Sequence, residues 1–462
     1  MGNVDILLAY PRERINTFYY MIPLGIAGIA ALLEQHGFTV KIIDFNFYHG
    51  DFRMDVIKWN PKLIGIGGTT ATRNGSFKTA KLAKQILPHV PVVYGGVHAS
   101  FTSDDTLQHI AEIDYIVRGE GEFTFLKLAQ YFVRHDEKID IYNLPGLSYR
   151  NNKVVNNPVK RIDNLDDLPL PARHLFDGRY KIKLDYLGIE ADFIMTSRGC
   201  PFSCTFCSAS AMFPGGVRYR SPEHIQKEID LIVSRSSIKA LKIFDSTFTA
   251  SKKHVLGFCE LIQPYNLLWE CEVRADTVNF ALLQRMKEAG CCYIDVGLET
   301  TDEYILQRIN KKLKLQHVER VLEWCRLLDI KTKVFFSFGH LYQSYQSCLN
   351  DVKYLKQHRH TIDFYATTVG LRVYPGTKLE AEVKKAGFLP QNFSWATFAP
   401  SRLNALVFEF DNVYVLNQPQ LGFVKLFKII IRLVENGTVG SFRYIVDLLW
   451  INLKKQFQMV GR

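Results

Sequence analysis

Short apolar runs alternate with segments of helical periodicity twice along this chain, and that alternation limits its fold more than any other feature. In the first series "VDILLAY", "FTVKIIDF", "LIGIGGTT", "VPVVYGGVHAS" and "IDYIVRGEGE" are strand-like, while "PLGIAGIAALLEQHG" and "SFKTAKLAKQIL" carry helical spacing. The order predicts an α/β unit: a mostly parallel, doubly wound, Rossmann-like sheet with helices on both faces. Such sheets take ligands at the carboxyl ends of their strands. Here those ends hold Gly67, Gly68, Gly95, Gly96, Gly119 and Gly121. One glycine turn is only a tight connection; three at the same rim point to a ligand lying close to the backbone.

A stretch rich in Asn, Asp and Pro, residues 143–190, reads as a linker. The second series follows with six strand patterns, "DFIMTSR", "ALKIFDS", "LLWECEVRA", "CYIDVGLE", "KVFFSFGHL" and "FYATTVGLRV", separated by helical ones. This predicts a partial (β/α)6 barrel of the TIM type, with its site at the carboxyl ends of the strands. The expected division is therefore 1–142 for the Rossmann-like domain, 143–190 for the linker, 191–400 for the barrel and 401–462 for a short helical region.

A chain of 462 residues is too long for one ordinary domain. The excess of 57 Lys+Arg over 46 Asp+Glu favours anionic partners without choosing among nucleotide-like cofactors, nucleic acid and lipid head groups. Nucleic acid is not expected, because no RNA-binding module appears and aromatics do not interleave with the basic runs. No apolar run approaches the roughly 18–20 residues of a membrane span, and "MGNVDILLAY" lacks the marks of a signal peptide. The expected setting is the reducing cytoplasm, where clustered cysteines read as metal ligands or catalysts rather than disulfides.

None of the nine cysteines precedes residue 200, and three fall in "TSRGCPFSCTFCSAS": Cys200, Cys204 and Cys207, spaced C-x3-C-x2-C. A closed zinc site wants four ligands, yet no histidine follows closely and the next cysteine is Cys259. A redox C-x-x-C pair would leave Cys200 idle. Three thiolates on one loop suit a four-iron cluster with one iron open to an external chelator. The loop follows the first barrel strand, which puts it at the catalytic rim.

These residues resemble the radical SAM superfamily, whose C-x3-C-x-aromatic-C motif is matched by "CPFSCTFC" with Phe206 as the aromatic. The resemblance implies a [4Fe–4S] cluster on the three cysteines and S-adenosylmethionine (SAM) on the open iron. It also implies reductive cleavage of SAM to a 5′-deoxyadenosyl radical that abstracts hydrogen from an unactivated carbon. "RYRSPEHIQKEI", "LKIFDSTFT", "CEVRADTVNFALLQRMKEAGCCYIDVGLET" and "RVYPGTKLE" are similar to successive segments of the cobalamin-linked branch. By that likeness Asp245 approaches the methionine end of SAM, Arg274 and Glu299 point into the barrel mouth, and Tyr374 lies at its rim. The rival readings are a helix cap for Asp245 and for Glu299, and a surface strand position for Arg274.

The first series resembles the cobalamin-binding domain of the same branch through "IPLGIAGIAALLEQHGFTVKIIDF", "YGGVHAS" and "YIVRGEGE". The likeness implies cobalamin on the glycine rim with His98 and Glu120 beside it. The D-x-H-x-x-G motif, whose histidine ligates cobalt in other carriers, is absent; "DFNFYHG" has Asp44, His49 and Gly50 in the wrong register. His98 therefore reads as a loop residue near the corrin or its tail rather than as a cobalt ligand. A flavin or nicotinamide is disfavoured because "GIGGTTA" lacks the third glycine of the dinucleotide fingerprint; a domain that holds nothing is the stronger rival.

The expected activity is cobalamin-dependent radical SAM C-methylation through methylcobalamin. The expected substrate is a small molecule, either lipid or terpenoid-like or a natural-product intermediate. An external electron donor such as flavodoxin or ferredoxin would drive it. The alternatives are radical cyclisation, rearrangement or ring contraction without methyl transfer, and, in another class, a non-catalytic iron–sulfur or zinc-binding protein. The basic, apolar-striped tail, with Lys425, Lys428 and Arg432 near Ile431 and with Trp450 beyond, predicts two helices that pack on the barrel or touch a membrane peripherally.

Overall fold

The structure is a computed structural model describing residues 4–12, 21–176, 182–184, 188–235, 238–389, 392–397, 407–410, 413–416 and 421–435. The first apolar runs form β1 (Ile6–Tyr10), β2 (Val40–Asp44), β3 (Leu63–Gly67), β4 (Val92–Gly95) and β5 (Tyr115–Val117), all parallel. Alternate residues of β1 enter different cores: Ile6 and Leu8 pack with Ile26, Leu33 and Leu128 on one face, Leu7 and Ala9 with Ile64, Phe77 and Ile116 on the other. Period-two alternation with both faces apolar is what a doubly wound sheet requires. Helices Leu24–Gln35 and Glu122–Arg134 pack together on one side, and Phe52–Trp59 packs with Arg73–Ile86.

Differences from the sequence reading begin in this half. The fourth strand stops at Gly95, and "VHASF" is a short helix, Val97–Phe101. The presumed linker contains a hairpin, β6 (Leu147–Asn151) and β7 (Lys153–Asn156), which extends the first sheet to the order β2-β1-β3-β4-β5-β6-β7. Its asparagines serve a tight turn, with Asn152 at φ +55°, a left-handed conformation that asparagine tolerates. The Arg150 guanidinium anchors the hairpin by donating to the carbonyls of Leu107, Ile110 and Ile113 at 2.6–2.7 Å.

The second half comprises β8 (Ile182–Lys183), β9 (Glu190–Ile194), β10 (Ser197–Arg198), β11 (Arg218–Tyr219), β12 (Ala240–Ile243), β13 (Leu268–Val273), β14 (Cys291–Glu299), β15 (Lys331–Phe338) and β16 (Phe364–Val369). Its main sheet runs β16-β15-β14-β13-β12-β9-β8, six parallel strands with β8 antiparallel at the edge. Trp269, Cys271 and Val273 of β13, Ile294 and Val296 of β14 and Val334 and Phe336 of β15 form one core with the outer helices. The intervening positions turn Glu270, Glu272, Asp295 and Lys333 to the inner face, by the period of two. Cys259, Cys271, Cys291, Cys325 and Cys348 are buried core residues.

β17 (Leu371–Val373), β18 (Val407–Phe410) and β19 (Val413–Leu416) make a small antiparallel sheet beyond β16, so the expected helical region from 401 opens with two strands instead. The first tail helix, Gly422–Glu435, packs on helix Tyr345–Gln357 and buries Leu426, Ile429 and Leu433 in the barrel core, leaving Lys425, Lys428 and Arg432 exposed. The second expected tail helix lies outside the described residues. Among those described, no helix is long and apolar enough to cross a membrane.

Candidate functional site

The cysteine loop, residues 199–217, hangs from a two-rung hairpin. β10 and β11 pair Ser197 with Tyr219 and Arg198 with Arg218. Gly199 follows at φ +107°, and a Cβ there would stand 2.5 Å from the Gly216 carbonyl oxygen. Glycine is what lets the two feet of the loop meet. Beneath them the Asp245 carboxylate accepts four hydrogen bonds, from the amide and hydroxyl of Thr196 at 2.7 and 2.5 Å and from those of Ser197 at 3.1 and 2.7 Å. Four donors occupy a carboxylate's acceptor sites. Asp245 caps no helix; it fixes the root of the loop. Burial raises its carboxyl above the ordinary value, with these bonds opposing.

On the loop, Cys200 Sγ lies 3.4 Å from Thr247 Oγ1, and the Ala209 amide donates to Cys207 Sγ at 3.5 Å. Burial raises the Cys204 and Cys207 thiols, while Lys311 and Arg274 pull Cys204 back. Among the described residues, no group of His, Cys, Asp or Glu is set to hold a metal ion by itself. The donor set is three soft thiols on one loop, which fits a cluster with an open iron better than a closed four-ligand zinc site. Phe206 fastens the loop, packing between Ile305, Leu306 and Ile309 on one side and Leu341, Leu371 and Leu379 on the other.

Two predicted residues are joined through Lys311 at the ends of β13 and β14. Arg274, just past β13, lays its guanidinium over the Phe202 ring at 4.0 Å, donates to Asp276 Oδ1 at 2.7 Å and donates to the Lys311 carbonyl. It is buried, not a surface strand residue. Glu299 closes β14 at φ +74°, where the register against β15 slips between Gly297 and Glu299. A bulge of this kind re-aims a side chain, and left-handed backbone at a non-glycine residue costs about 1–3 kcal/mol. Burial would raise the Glu299 carboxyl, but Lys311 Nζ at 2.8 Å, helped by Ser337 Oγ at 3.2 Å, holds it below its ordinary value. The following helix is capped by Asp302, not Glu299. Lys311 escaped the sequence reading, because "INKKLK" looks like a solvated charge run. Asn310 beside it donates to the carbonyl and hydroxyl of Ser203 at 2.9 and 2.7 Å, tying this segment to the cysteine loop. Tyr374 is half-buried after β17, its carbonyl accepting from Thr377 Oγ1 at 2.8 Å.

A cavity of about 660 Å³ lies between the carboxyl ends of the first sheet and the feet of the cysteine loop, within the ~300–1,000 Å³ range of ligand pockets. All six rim glycines line it, facing Met195, Ser197, Arg198, Met212, Phe213 and Phe244. Their roles differ. A Cβ on Gly96, at φ +99°, would strike the Gly68 carbonyl, and Cβ atoms on Gly67, Gly68 and Gly119 would meet Ile26, Ser76 and Val159 at 2.7, 2.6 and 2.5 Å. These glycines let the strand ends pack. The ligand signal comes instead from Gly25 and Gly28 in the first helix. Both line the cavity, and neither would have any atom within 4 Å of an added Cβ. That helix face is bare backbone opposite a largely apolar wall, a cradle suited to a broad planar ligand such as a corrin.

Two expected rim residues are placed otherwise. His98 does not line the cavity; it is fully buried, with Nδ1 3.2 Å from Thr70 Oγ1 and its ring against Trp395 and Phe77. Burial, with Arg73 nearby, lowers its pKa to about 3. The helix after Gly96 turns the ring inward, so it is neither a loop residue near a corrin nor placed to ligate cobalt. Glu120 borders the cavity, but its oxygens are taken by Arg198 Nη1 at 2.8 Å, Arg218 Nη1 at 2.7 Å and the Ile162 amide at 3.1 Å.

Both halves of the chain match known families. Residues 14–129 match the B12 binding domain and residues 194–355 the Radical SAM superfamily. An uncharacterised methyltransferase of Pyrococcus horikoshii is 33% identical over 365 residues, covering 77% of this chain and 77% of that protein. The anaerobic magnesium-protoporphyrin IX monomethyl ester cyclase of Rubrivivax gelatinosus is 26% identical over 330 residues, covering 69% of this chain and 59% of the cyclase. Among solved structures, the radical SAM methyltransferase TsrM of Kitasatospora setae, with tryptophan substrate and a SAM analogue bound, superposes with a TM-score of 0.71. The match covers 92% of this chain and 88% of that one at 17% identity, a likeness of fold.

Proposed function

The chain belongs to the radical SAM enzymes that carry a B12-binding domain, and from that premise we propose that it is a C-methyltransferase for a small-molecule substrate. The observation that carries this reading is a cavity bounded by the bare-backbone cradle on one side and the feet of the cysteine loop on the other. One site there would bring a corrin beside a cluster. The similarity to a methyltransferase over three quarters of both chains supports the transfer of a methyl group.

Cys200, Cys204 and Cys207 would hold the [4Fe–4S] cluster, and the Gly25/Gly28 face would cradle cobalamin. When bound, these groups supply one-electron cleavage of SAM, hydrogen abstraction from an unactivated carbon and a methyl group carried on cobalt. The protein's own work is binding and orientation. Arg274 suits the carboxylate of SAM, and the ionised Glu299 suits its ammonium or ribose diol. Lys311 and Ser337 keep Glu299 charged and aimed. Asp245 and Phe206 hold the loop that bears the thiols. Electrons would come from an external donor such as flavodoxin or ferredoxin.

The likeness to a cyclase favours a second reading, ring formation without methyl transfer. Incubation with methyl-deuterated SAM, cobalamin, reductant and candidate substrates separates the two. A product that gains the labelled methyl group is expected. A product that loses hydrogen and acquires no label would replace methylation with cyclisation.

A further inference from the structure

Two acids and two arginines join the halves of the molecule beside the cavity. Glu120 and Glu122 follow β5 at the glycine rim, while Arg198 and Arg218 are the paired residues at the two feet of the cysteine loop. Arg198 Nη1 lies 2.8 Å from Glu120 Oε1 and its Nη2 lies 2.6 Å from Glu122 Oε1. Arg218 Nη1 lies 2.7 Å from Glu120 Oε2 and also donates to the Ile162 carbonyl. Both glutamate side chains are at most 5% exposed. A buried ion-pair network gains little stability over an apolar seam of equal volume. What it supplies is orientation, because a guanidinium fork meets two carboxylates in a fixed plane.

The network is also incomplete. Glu122 Oε2, Arg218 Nε and Arg218 Nη2 are buried with no hydrogen-bond partner among the described residues. Glu120, Glu122 and Arg198 line the cavity. Arg198 stands two residues before Cys200. Of the three orphaned atoms only Glu122 Oε2 belongs to a residue of the cavity lining, so a ligand that pairs with it from the cavity bears on the loop that carries the thiols.

We propose that a corrinoid in the cavity completes this clamp, a peripheral carboxamide donating to Glu122 Oε2, and that the clamp thereby couples corrinoid binding to the order of the cysteine loop and to SAM affinity. The four side chains are positioning residues. The inference rests on the reading that the cavity takes cobalamin and the thiols take the cluster.

The test uses the full chain with its cluster reconstituted anaerobically, with and without hydroxocobalamin, reading hydrogen exchange over residues 199–217 and the Kd for SAM. In the unaltered protein cobalamin should slow exchange in the loop and tighten SAM roughly tenfold, in the usual range of coupling between sites. Glu122→Gln should keep full iron content and, at a hydroxocobalamin concentration high enough to saturate it, reduce that response to less than twofold. Arg198→Lys, which keeps the charge but not the two-armed fork, should do the same and carries the test if Glu122→Gln fails to fold. Wild-type coupling in a folded, loaded variant overturns the inference, as does an unaltered protein that retains cobalamin with no change in loop exchange or SAM affinity. Failure of the unaltered protein to retain cobalamin at micromolar concentration would instead overturn the reading on which it rests.

Discussion

Glu272 lies on the inner face of β13, one inward step below Arg274 and paired in register with Asp295 of β14. Burial, with Asp295 beside it, raises its carboxyl to about 7 against the pull of Lys242 and Lys333. In the unfolded chain it returns to the ordinary value of 4.5. Between those two pH values the folded protein keeps a proton that the unfolded chain has lost, so this residue's contribution to stability falls as pH rises through the window and is flat above it. Glu272→Gln, which cannot ionise, should remove that fall and make the protein about 1–3 kcal/mol more stable than the wild type at pH 8. Urea midpoints at pH 5 and pH 8 check it, and parallel profiles for the two proteins would count against it. Legibility in the sequence varied residue by residue at this end of the barrel. Arg274 and Glu299 were picked out through the likeness of "CEVRADTVNFALLQRMKEAGCCYIDVGLET" to the cobalamin-linked branch, not from strand pattern alone. Lys311 was not, because its burial depends on a turn through residues at φ +54° and +51° on either side of it, which no periodicity announces. His98 was misplaced for a related reason: "GGVHAS" reads as a loop, and only the helix that follows Gly96 turns the ring inward.

Among the elements, the first helix departs furthest from what its composition favours. Glycine costs a helix interior about 1 kcal/mol relative to alanine, yet Gly25 and Gly28 stand where nothing would obstruct a side chain. Packing does not explain them; a ligand lying on that face would. Gly25→Leu with Gly28→Leu should keep the fold, gain up to about 1 kcal/mol per site from helix propensity and lower cobalamin retention at least tenfold. Equilibrium dialysis and thermal melts measured together check this; a variant that is stabilised and still binds cobalamin as the wild type does would show that the cradle lies elsewhere. Gly96→Ala is the contrasting control, since its Cβ would meet the Gly68 carbonyl at a left-handed φ, and it should lose stability. That the rim glycines share one cavity was legible as a set, but which of them are required by packing was not, because that depends on what lies behind each one. The hairpin at 147–156 was hidden by its own turn chemistry: asparagines that suit a left-handed turn also resemble a connector.

On the scale of the whole molecule, the candidate site exists only because two layered units meet, and the seam extends well beyond the cavity. Ser394 Oγ and the Ala396 amide donate to the Asp105 carboxylate at 2.5 and 2.9 Å, so residues 392–397 hold the first unit. The Trp395 carbonyl accepts from Arg73 Nε at 3.3 Å, its ring meets His98 edge-on, and its Nε1 donates to Glu380 Oε1 at 2.7 Å in the second unit. On the barrel side Leu341, Leu379 and Leu389 pack into the same buried cluster as Trp395. One indole thus bridges both halves, and the clamp of Glu120 and Glu122 bridges them again on the cavity side. Deleting a buried aromatic costs about 3–5 kcal/mol, and at Trp395 that loss is shared between the barrel-side cluster and the seam with the first unit. Trp395→Ala should therefore split unfolding, so that calorimetry shows two transitions where the wild type shows one. Cobalamin should raise the transition of the first unit by mass action, because a ligand stabilises the state that binds it. A single transition, shifted equally for probes in both halves, would mean that the remaining seam is enough to keep the molecule one cooperative unit.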